Sequence, residues 1–166
     1  MNGRHRNGFT LLEIVIVLAI VGIMAGILVP MVRTYIGSAK TQRAEQDTKA
    51  LGEALLAFNK DTARFPIWRS GTATTPSDPI FPVLRTEDGD MPSVQRFPVA
   101  IGFFGWNARS SDTFENQLEK NAPGGSGTAY PATGEFAWRG PYMGPIRMDP
   151  WGNRYLCNAG ALKPNV

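Results

Sequence analysis

The sequence predicts an α+β fold, in which one long N-terminal helix precedes a small, loop-rich region with short antiparallel strands. One observation is an apolar stretch near the N-terminus, and the other is that 12 of the 13 prolines and 12 of the 18 glycines follow Asp61. With 166 residues, the chain suits one modest domain and is too short for a large multidomain enzyme.

The composition excludes several kinds of site within a single chain. The net charge of +3 is too slight to indicate a nucleic-acid partner. The single cysteine, Cys157, and the single histidine, His5, exclude an internal disulfide framework, a cysteine-rich zinc site and a multi-histidine site. We interpret Cys157 as a residue buried beside the tail strands rather than as a reactive thiol, although the sequence leaves its state open.

The N-terminal segment predicts a membrane helix. Residues 9–32 contain one charge, Glu13, and the uncharged stretch Ile14–Val32 has 19 residues. A helix needs about 20 such residues to cross a bilayer. Arg4 and Arg6 precede the stretch, which predicts that the N-terminus stays in the cytoplasm and that the rest of the chain lies outside.

The position of a small residue distinguishes this segment from an ordinary secretory signal. Such a signal has a shorter apolar run, which is followed by a cleavage site of small residues. Here the small-residue break, Gly8, precedes the run. Cleavage after Gly8 would remove the charged leader and keep the helix, whereas a plain uncleaved anchor fits the hydropathy equally well.

Glu13 is the most informative residue of this segment. A carboxylate within a membrane costs a few kcal/mol unless it has a partner, although the N-terminal end of the helix dipole favours it. Cleavage after Gly8 would give Phe9 a free amine, and the amine of a neighbouring subunit would neutralise Glu13. This pattern indicates self-association, and the alternative is a glutamate whose carboxylate reaches the membrane surface.

The helix is predicted to continue beyond the membrane, from about Phe9 to Asp61, over roughly 80 Å. Past Met31 the pattern becomes amphipathic and no proline interrupts it; the residues of the apolar face are Ala44, Leu51, Leu55 and Phe58. The alternative is two helices separated at Pro30, where a kink or a locally melted turn is expected.

Gly22 and Gly26 form a pair of small residues four apart in the apolar half of the helix. Such pairs let helices approach closely in membranes, but they are also common in membrane helices without a specific role. We therefore treat them as candidate subunit contacts.

After the helix, the sequence predicts a variable loop over residues 67–110, packed by Phe81, Val83 and Leu84. A short helix is predicted over residues 111–120, with Asp112 as N-cap and Glu115 at the capping-box position. Short strands are predicted around residues 135–138 and 154–158.

Between these strands, Asp149, Pro150 and Gly152 occupy the first, second and fourth positions of a type I turn. The aromatic residues of this tail are predicted to cover a helix face, and the alternative is a stacking platform for sugars or bases; they are Trp138, Tyr142, Trp151 and Tyr155.

The segment RNG-FTLLEIVIVLAIVGIMAGILVP resembles the class III signal peptide of type IV pilins and type II secretion pseudopilins. The resemblance implies that a membrane-embedded aspartyl prepilin peptidase cuts after Gly8 and methylates Phe9. By position, Glu13 and Pro30 match the glutamate and the proline of the family pattern. The resemblance also implies a pilin-like fold, with the apolar helix in the core of a filament.

The tail is similar to that of the major pseudopilins of type II secretion. Residues 63–66 are similar to their G-R-[YF]-P turn, with Ala63 in place of glycine. Residues 138–142 and 149–155 resemble their W-[KR]-G-P-Y and D-P-W-G-N-x-Y motifs, the second of which includes Trp151 and Asn153. Adhesive pilins usually close their C-terminal loop with a cysteine pair, and a single cysteine does not allow this.

Calcium is the one cofactor that the resemblance brings into consideration. Many major pseudopilins bind it through acidic and carbonyl ligands in a loop beyond the D-P-W-G-N motif. Residues 154–166 contain no Asp or Glu, so a hard cation would find only amide and carbonyl oxygens there. We therefore predict no metal and no cofactor, and the sequence leaves open whether the chain is complete at its C-terminus.

The resemblance implies four segments: a cleaved leader (1–8), a transmembrane and filament-core helix (9–32), its amphipathic continuation (33–62) and a periplasmic globular region (63–166). It implies a structural subunit, without catalysis, of a filament that drives protein export through an outer-membrane secretin. The implied partners are other copies of the chain, the prepilin peptidase, the minor pseudopilins and the inner-membrane assembly platform.

Two other functions are weighed against this one. The first is a filament like a type IV pilus, used in adhesion, motility or DNA uptake, and the tail motif disfavours it. The second is a membrane-anchored periplasmic enzyme or binding module. Its candidate carboxylates show no spacing that specifies a site; they are Asp78, Asp90, Asp112 and Glu135.

Overall fold

The computed structural model describes residues 9–73, 75, 77–92 and 110–162. The chain divides into two compact units, Met1–Thr41 and Gln42–Val166. One helix, α1 (Leu11–Thr62), contributes residues to both units. The second unit also contains the strands β1 (Val83–Arg85), β2 (Ser111–Thr113) and β3 (Leu156–Asn158). Its short helical turns are Glu115–Glu119, Pro123–Gly125 and Ala159–Leu162.

In the first unit, α1 remains helical through Pro30. The predicted single helix is confirmed, and the alternative of two helices with a locally melted turn is wrong. The hydroxyl of Thr34 donates a hydrogen bond to the Pro30 carbonyl at 3.1 Å, one turn later. The helix thus continues across Pro30, although the absent N–H costs it one backbone hydrogen bond.

In the second unit, α1 contributes three buried apolar side chains to the core: Leu51, Ala54 and Phe58. They belong to one cluster with buried residues from the rest of the unit, including Ile67, Leu84, Phe114 and Leu118. The predicted apolar face is correct for Leu51 and Phe58. Leu55 is half-buried and packs against the same cluster, Ala44 is half-buried, and Ala54 is buried although it was not predicted.

The three strands form one small mixed sheet in the order β2-β1-β3. Leu84 at its centre faces Asp112 across a parallel pair and Cys157 across an antiparallel pair. The α+β class is therefore confirmed, but the prediction of purely antiparallel strands is wrong for β1 and β2. Residues 86–110 connect these two strands, and a connection of this length permits parallel pairing.

Three local predictions also need correction. The predicted helix over residues 111–120 begins instead as β2, and only Glu115–Glu119 form a short π-helix. Residues 135–138 form a loop rather than a strand, in which Trp138 N donates to the Pro131 carbonyl at 2.7 Å. The predicted loop over residues 67–110 contains β1, whereas its residues 93–109 lie outside the described part of the chain.

Candidate assembly site

The first turn of α1 is stabilised by the side chain of Thr10. Its Oγ1 atom accepts a hydrogen bond from the backbone N–H of Glu13 at 3.2 Å. Thr10 and Glu13 have the spacing of a capping box, a pattern visible in the sequence that our sequence interpretation missed. Within the described residues, the Glu13 carboxylate forms no ion pair. The first turn therefore presents a carboxylate that a partner can reach.

The other predicted assembly residues are spread along the same unit. Phe9 precedes the helix and is 80% exposed, whereas Gly8 lies outside the described residues. A Cβ atom added at Gly22 or Gly26 would meet no other atom within 4 Å. This face is therefore open to another helix, and the roles predicted for these residues and for Pro30 remain predictions.

The apolar side chains of this unit are exposed in the isolated chain. Large apolar residues between Leu11 and Ile36 are half or more exposed, and α1 is long and apolar enough to cross a membrane. Exposed apolar area on this scale is unfavourable in water, at about 25 cal/mol per Å². The segment is therefore a candidate membrane anchor and a candidate packing surface.

In the second unit, two tyrosines of the tail motifs bind carboxylates of α1; we call these two bonds the tail clamp. Tyr142 Oη donates to Asp61 Oδ2 at 3.1 Å, and Tyr155 Oη donates to Asp47 Oδ2 at 2.9 Å. Asp47 and Asp61 are about four helical turns apart, and so lie on nearly the same face. The clamp thus fixes the tail at both ends of this stretch of helix.

The surroundings of the tail clamp keep both phenols protonated. Burial, followed by the neighbouring carboxylate of Asp47, raises the pKa of Tyr155 well above its usual range. Burial also raises the pKa of Tyr142, and its bond to Asp61 adds to this effect. Arg43 Nε lies 3.7 Å from Asp47 Oδ2, so one carboxylate binds both a cation and a phenol.

An aromatic cluster lies beside the clamp. Phe58 of α1 makes edge-to-face contacts with Tyr130 and Tyr142, with ring centroids 4.9 and 5.4 Å apart. Trp138 meets Tyr142 in the same geometry at 5.7 Å. A Cβ atom at Gly140 would lie 2.5 Å from the Trp138 ring, which explains why a glycine separates these aromatic residues. The prediction that the tail aromatics cover the helix is correct for Tyr142 and Tyr155, which bond to α1, while Trp138 packs against Tyr142 and the core cluster.

The turn Met148–Asn153, which we call the Trp turn, is held by its own side chains. Asp149 Oδ1 accepts hydrogen bonds from the backbone N–H groups of Trp151 and Asn153, at 2.9 and 2.7 Å. Gly152 N donates to the Asp149 carbonyl at 3.0 Å, and Gly152 has a φ of +90°, which suits glycine. The indole of Trp151 is 53% exposed, so the prediction that it covers the helix is wrong.

A buried carboxylate organises the residues that follow β2. Asp112 is 3% exposed, and its Oδ1 atom accepts hydrogen bonds from Thr113 N and Asn116 Nδ2, both at 2.8 Å. Its Oδ2 atom accepts hydrogen bonds from Gln117 Nε2 at 2.6 Å and Gly124 N at 2.7 Å. Asp112 was predicted as a simple N-cap, because the sequence does not reveal donors that lie farther along the chain.

The carboxylates considered for an enzyme or binding site do not form one. Asp112 is surrounded by N–H donors, Asp78 Oδ2 accepts a hydrogen bond from Thr75 N at 2.8 Å, and Glu135 is exposed on a loop. Across the part of the chain that the structure describes, no group of three His, Cys, Asp or Glu residues is arranged to hold a metal.

The N-terminal segment is similar to a motif known from other proteins. Residues 3–29 match the Prokaryotic N-terminal methylation motif. The chain is 38% identical to the type II secretion system core protein G of Pseudomonas aeruginosa over 71 residues, which are 43% of this chain and 50% of that protein. It is 31% identical to core protein G of Escherichia coli K12 over 93 residues, covering 56% and 64% of the two chains.

A longer match has a similar level of identity. The chain is 29% identical to core protein G of Vibrio cholerae over 126 residues, or 75% of this chain and 77% of that protein. For the first relatives the matched region spans about half of their length. No solved structure matches the chain significantly. The methylation motif, the long N-terminal helix and the repeated match to core protein G confirm the resemblance to the major pseudopilins of type II secretion.

Proposed function

We propose that the chain is a structural subunit of a pseudopilus, a filament that spans the periplasm and drives export through an outer-membrane secretin. The subunit is inserted once in the inner membrane, with its C-terminal region in the periplasm. The prepilin peptidase cuts it after Gly8 and methylates Phe9. Minor pseudopilins and the inner-membrane assembly platform incorporate it into the filament, and the chain itself performs no catalysis.

One observation carries this proposal: an exposed carboxylate, Glu13, lies in the capped first turn of α1, directly before the uncharged apolar stretch 14–32 of that helix. In a bilayer or a filament core this charge needs a positive partner. The new amine of Phe9 on a neighbouring subunit is such a partner. Apolar helix packing then supplies adhesion, and the pairing of Glu13 sets the register between subunits.

The open face at Gly22 and Gly26 supports the same role, because it lets a second helix approach closely. Within the second unit, the tail clamp holds the C-terminal tail on α1 through Asp47 and Asp61. In this proposal the subunit needs no cofactor and no metal.

Two variants test the proposal in the native host. Gly8→Ala is expected to leave an unprocessed precursor in the membrane, whereas mass spectrometry of the wild-type protein is expected to find Phe9 at the N-terminus with one added methyl group. A mature-size product from Gly8→Ala would contradict the assigned cut.

Glu13→Leu is expected to insert and be processed, yet to yield few filaments and little secretion. The matched control is Glu45→Leu, which removes a carboxylate from an exposed position of α1 beyond the apolar stretch. A normal filament yield from Glu13→Leu would show that assembly does not need the Glu13 carboxylate.

A further inference from the structure

In the second unit, few large apolar side chains remain exposed among the described residues: Leu56, Phe136, Met148 and Trp151. Met148 and Trp151 both belong to the Trp turn, where they are 48% and 53% exposed. Exposed tryptophan is costly in water, and tryptophan is among the residues that most often dominate protein interfaces. The sequence interpretation predicted that Trp151 covers a helix face, whereas its indole is exposed to the solvent.

Hydrogen bonds fix the backbone of the Trp turn that carries this indole. Besides the bonds to Asp149, Asp90 N donates to the Gly152 carbonyl at 2.8 Å, and Arg154 N donates to the Asp90 carbonyl at 2.9 Å. Arg154 Nε also donates to the Gly89 carbonyl at 2.6 Å. A side chain presented by a rigid turn loses little conformational entropy on binding, which favours it as an interface anchor.

The exposed side of α1 carries the other apolar residue of this set. Leu56 is 65% exposed, and Gly52, one turn earlier, leaves open space beside it. Lys49 and Lys60 are exposed on the same side of the helix, seven residues before and four residues after Leu56. We call Lys49, Gly52, Leu56 and Lys60 the Leu56 stripe. It has an apolar centre on a flat surface, with a cation on each side.

The charges around the Trp turn have the opposite sign. Asp88 and Asp90 are exposed, and the bridge between Asp90 and Asn153 places them beside the turn. Neither they nor Lys49 and Lys60 form an ion pair with any residue that the structure describes. Each surface also carries charge of the other sign. Glu53 lies on the helix, and Arg147 and the half-buried Arg154 lie beside the turn.

We propose that the Trp turn of one subunit binds the Leu56 stripe of a second copy of the chain. Trp151 and Met148 cover Leu56 and lie over the flat surface at Gly52, while Asp88 and Asp90 face Lys49 and Lys60. The two surfaces are different patches of one molecule, so the contact is head-to-tail. Such a contact repeats from subunit to subunit, as the proposed filament requires, rather than closing a two-fold dimer. This inference rests on the proposed function, because it assigns a second contact in the same filament.

Cysteine cross-linking of the full chain in membranes tests the contact. In a Cys157→Ser background, Leu56→Cys combined with Trp151→Cys is expected to give a ladder of disulfide-linked multimers under mild oxidation. The matched control combines Leu56→Cys with Phe136→Cys, since Phe136 is 54% exposed but lies outside the Trp turn. We expect the first pair to cross-link about tenfold more than the control, as a specific contact requires.

A charge exchange provides a second readout that needs no cysteine. Asp88→Lys with Asp90→Lys is expected to shorten the filaments seen by electron microscopy, and adding Lys49→Asp with Lys60→Asp is expected to restore their length. The Leu56→Cys and Trp151→Cys pair can itself prevent filament formation. In that case, filaments of normal length in the variant with all four charges exchanged support the contact, and short filaments in that variant overturn it.

The remaining outcomes separate this contact from the proposed function. Filaments that form normally but show no cross-link above the control would overturn the contact and leave the filament role intact. A wild-type chain that forms no filaments in its host would instead overturn the proposed function.

Discussion

Tyr155 Oη donates a hydrogen bond to Asp47 Oδ2 at 2.9 Å, joining two residues that are 108 positions apart in the chain. Tyr142 and Asp61 repeat this arrangement about four turns along α1, at 3.1 Å. Each phenol comes from a tail motif, and each carboxylate comes from the helix. The two tail motifs therefore dock on α1, and their tyrosines hold the tail there by donating hydrogen bonds to its carboxylates.

Removing a phenolic hydroxyl from the tail clamp is expected to lower the free energy of unfolding of the second unit. Tyr155→Phe should cost about 1 kcal/mol, the usual net value of a hydrogen bond, because the ring itself still packs. A double-mutant cycle with Asp47→Ala, which removes the acceptor, followed by denaturant unfolding, measures the coupling. Additive effects of the two substitutions would show that the bond contributes nothing.

Ala63 ends the helix with a φ of +54°, a left-handed conformation that costs alanine more than glycine. Ala63→Gly is therefore expected to raise the free energy of unfolding by about 0.5–1 kcal/mol, in contrast to most glycine substitutions. Ala57→Gly, at an exposed position inside α1, is the control and should lower stability by about 1 kcal/mol. Equal loss of stability in both variants would contradict this explanation of Ala63.

Asp112 is expected to be among the most sensitive positions of the second unit. Asp112→Asn presents an amide N–H₂ group to N–H donors, so at least one donor pair loses its acceptor inside the core. A buried donor without an acceptor costs about 1–3 kcal/mol, and we expect a loss of at least this size. Asp88→Asn on the exposed surface is the control, and thermal unfolding is the measurement. If Asp112→Asn melts at nearly the same temperature as the wild type, the Asp112 carboxylate does not stabilise the fold.

Glu115 gives the second unit a defined dependence of stability on pH. Desolvation by burial raises the pKa of this carboxyl above its usual value of 4.5, although hydrogen bonds from the backbone of Glu115 and Glu87 oppose the shift. A raised folded-state pKa contributes stability that is fully present below pH 4.5 and is lost as the pH rises through the folded value.

Glu115→Gln removes this titration, and an amide oxygen can still accept the Glu87 N–H that now lies 3.2 Å from the carboxylate. We expect Glu115→Gln to be more stable relative to the wild type at pH 7 than at pH 4, as measured by thermal unfolding at both values. Glu135→Gln, on an exposed loop, is the control. A stability difference that is independent of pH would contradict the assignment.

The proposed independence of metal is tested by chelation. Because the Asp112 carboxylate accepts four N–H donors, we expect the melting temperature to be the same in EDTA and in millimolar calcium. An increase in melting temperature with calcium would indicate a cation site and contradict the proposal.

Short-range patterns predicted the local features that depend on neighbouring residues. The apolar run predicted α1, and the spacing of Leu51 and Phe58 predicted its buried face. The aspartate of the Trp turn was also visible in the sequence. The capping role of Thr10 follows the same kind of pattern and was missed.

Features that depend on distant residues were not predictable in this way. One of the four donors of Asp112, Gly124 N, lies twelve residues along the chain, and the parallel pairing of β1 with β2 depends on the path of the chain between them. The exposure of Trp151 is of the same kind, because contacts of the turn with Asp90 and Gly89 determine which side of the turn faces the solvent. The spacing of a motif can identify residues such as Asp112 and Trp151, but it does not predict which distant groups lie next to them in the fold.

The single thiol of the chain provides a reporter of tail detachment. Cys157 lies in β3, opposite Leu84, and burial raises the pKa of its thiol. Alkylating reagents react with the thiolate, so labelling is slow while the strand is paired and accelerates when it separates. The rate of Cys157 alkylation would therefore time the release of the C-terminal strand in living cells, without any introduced probe.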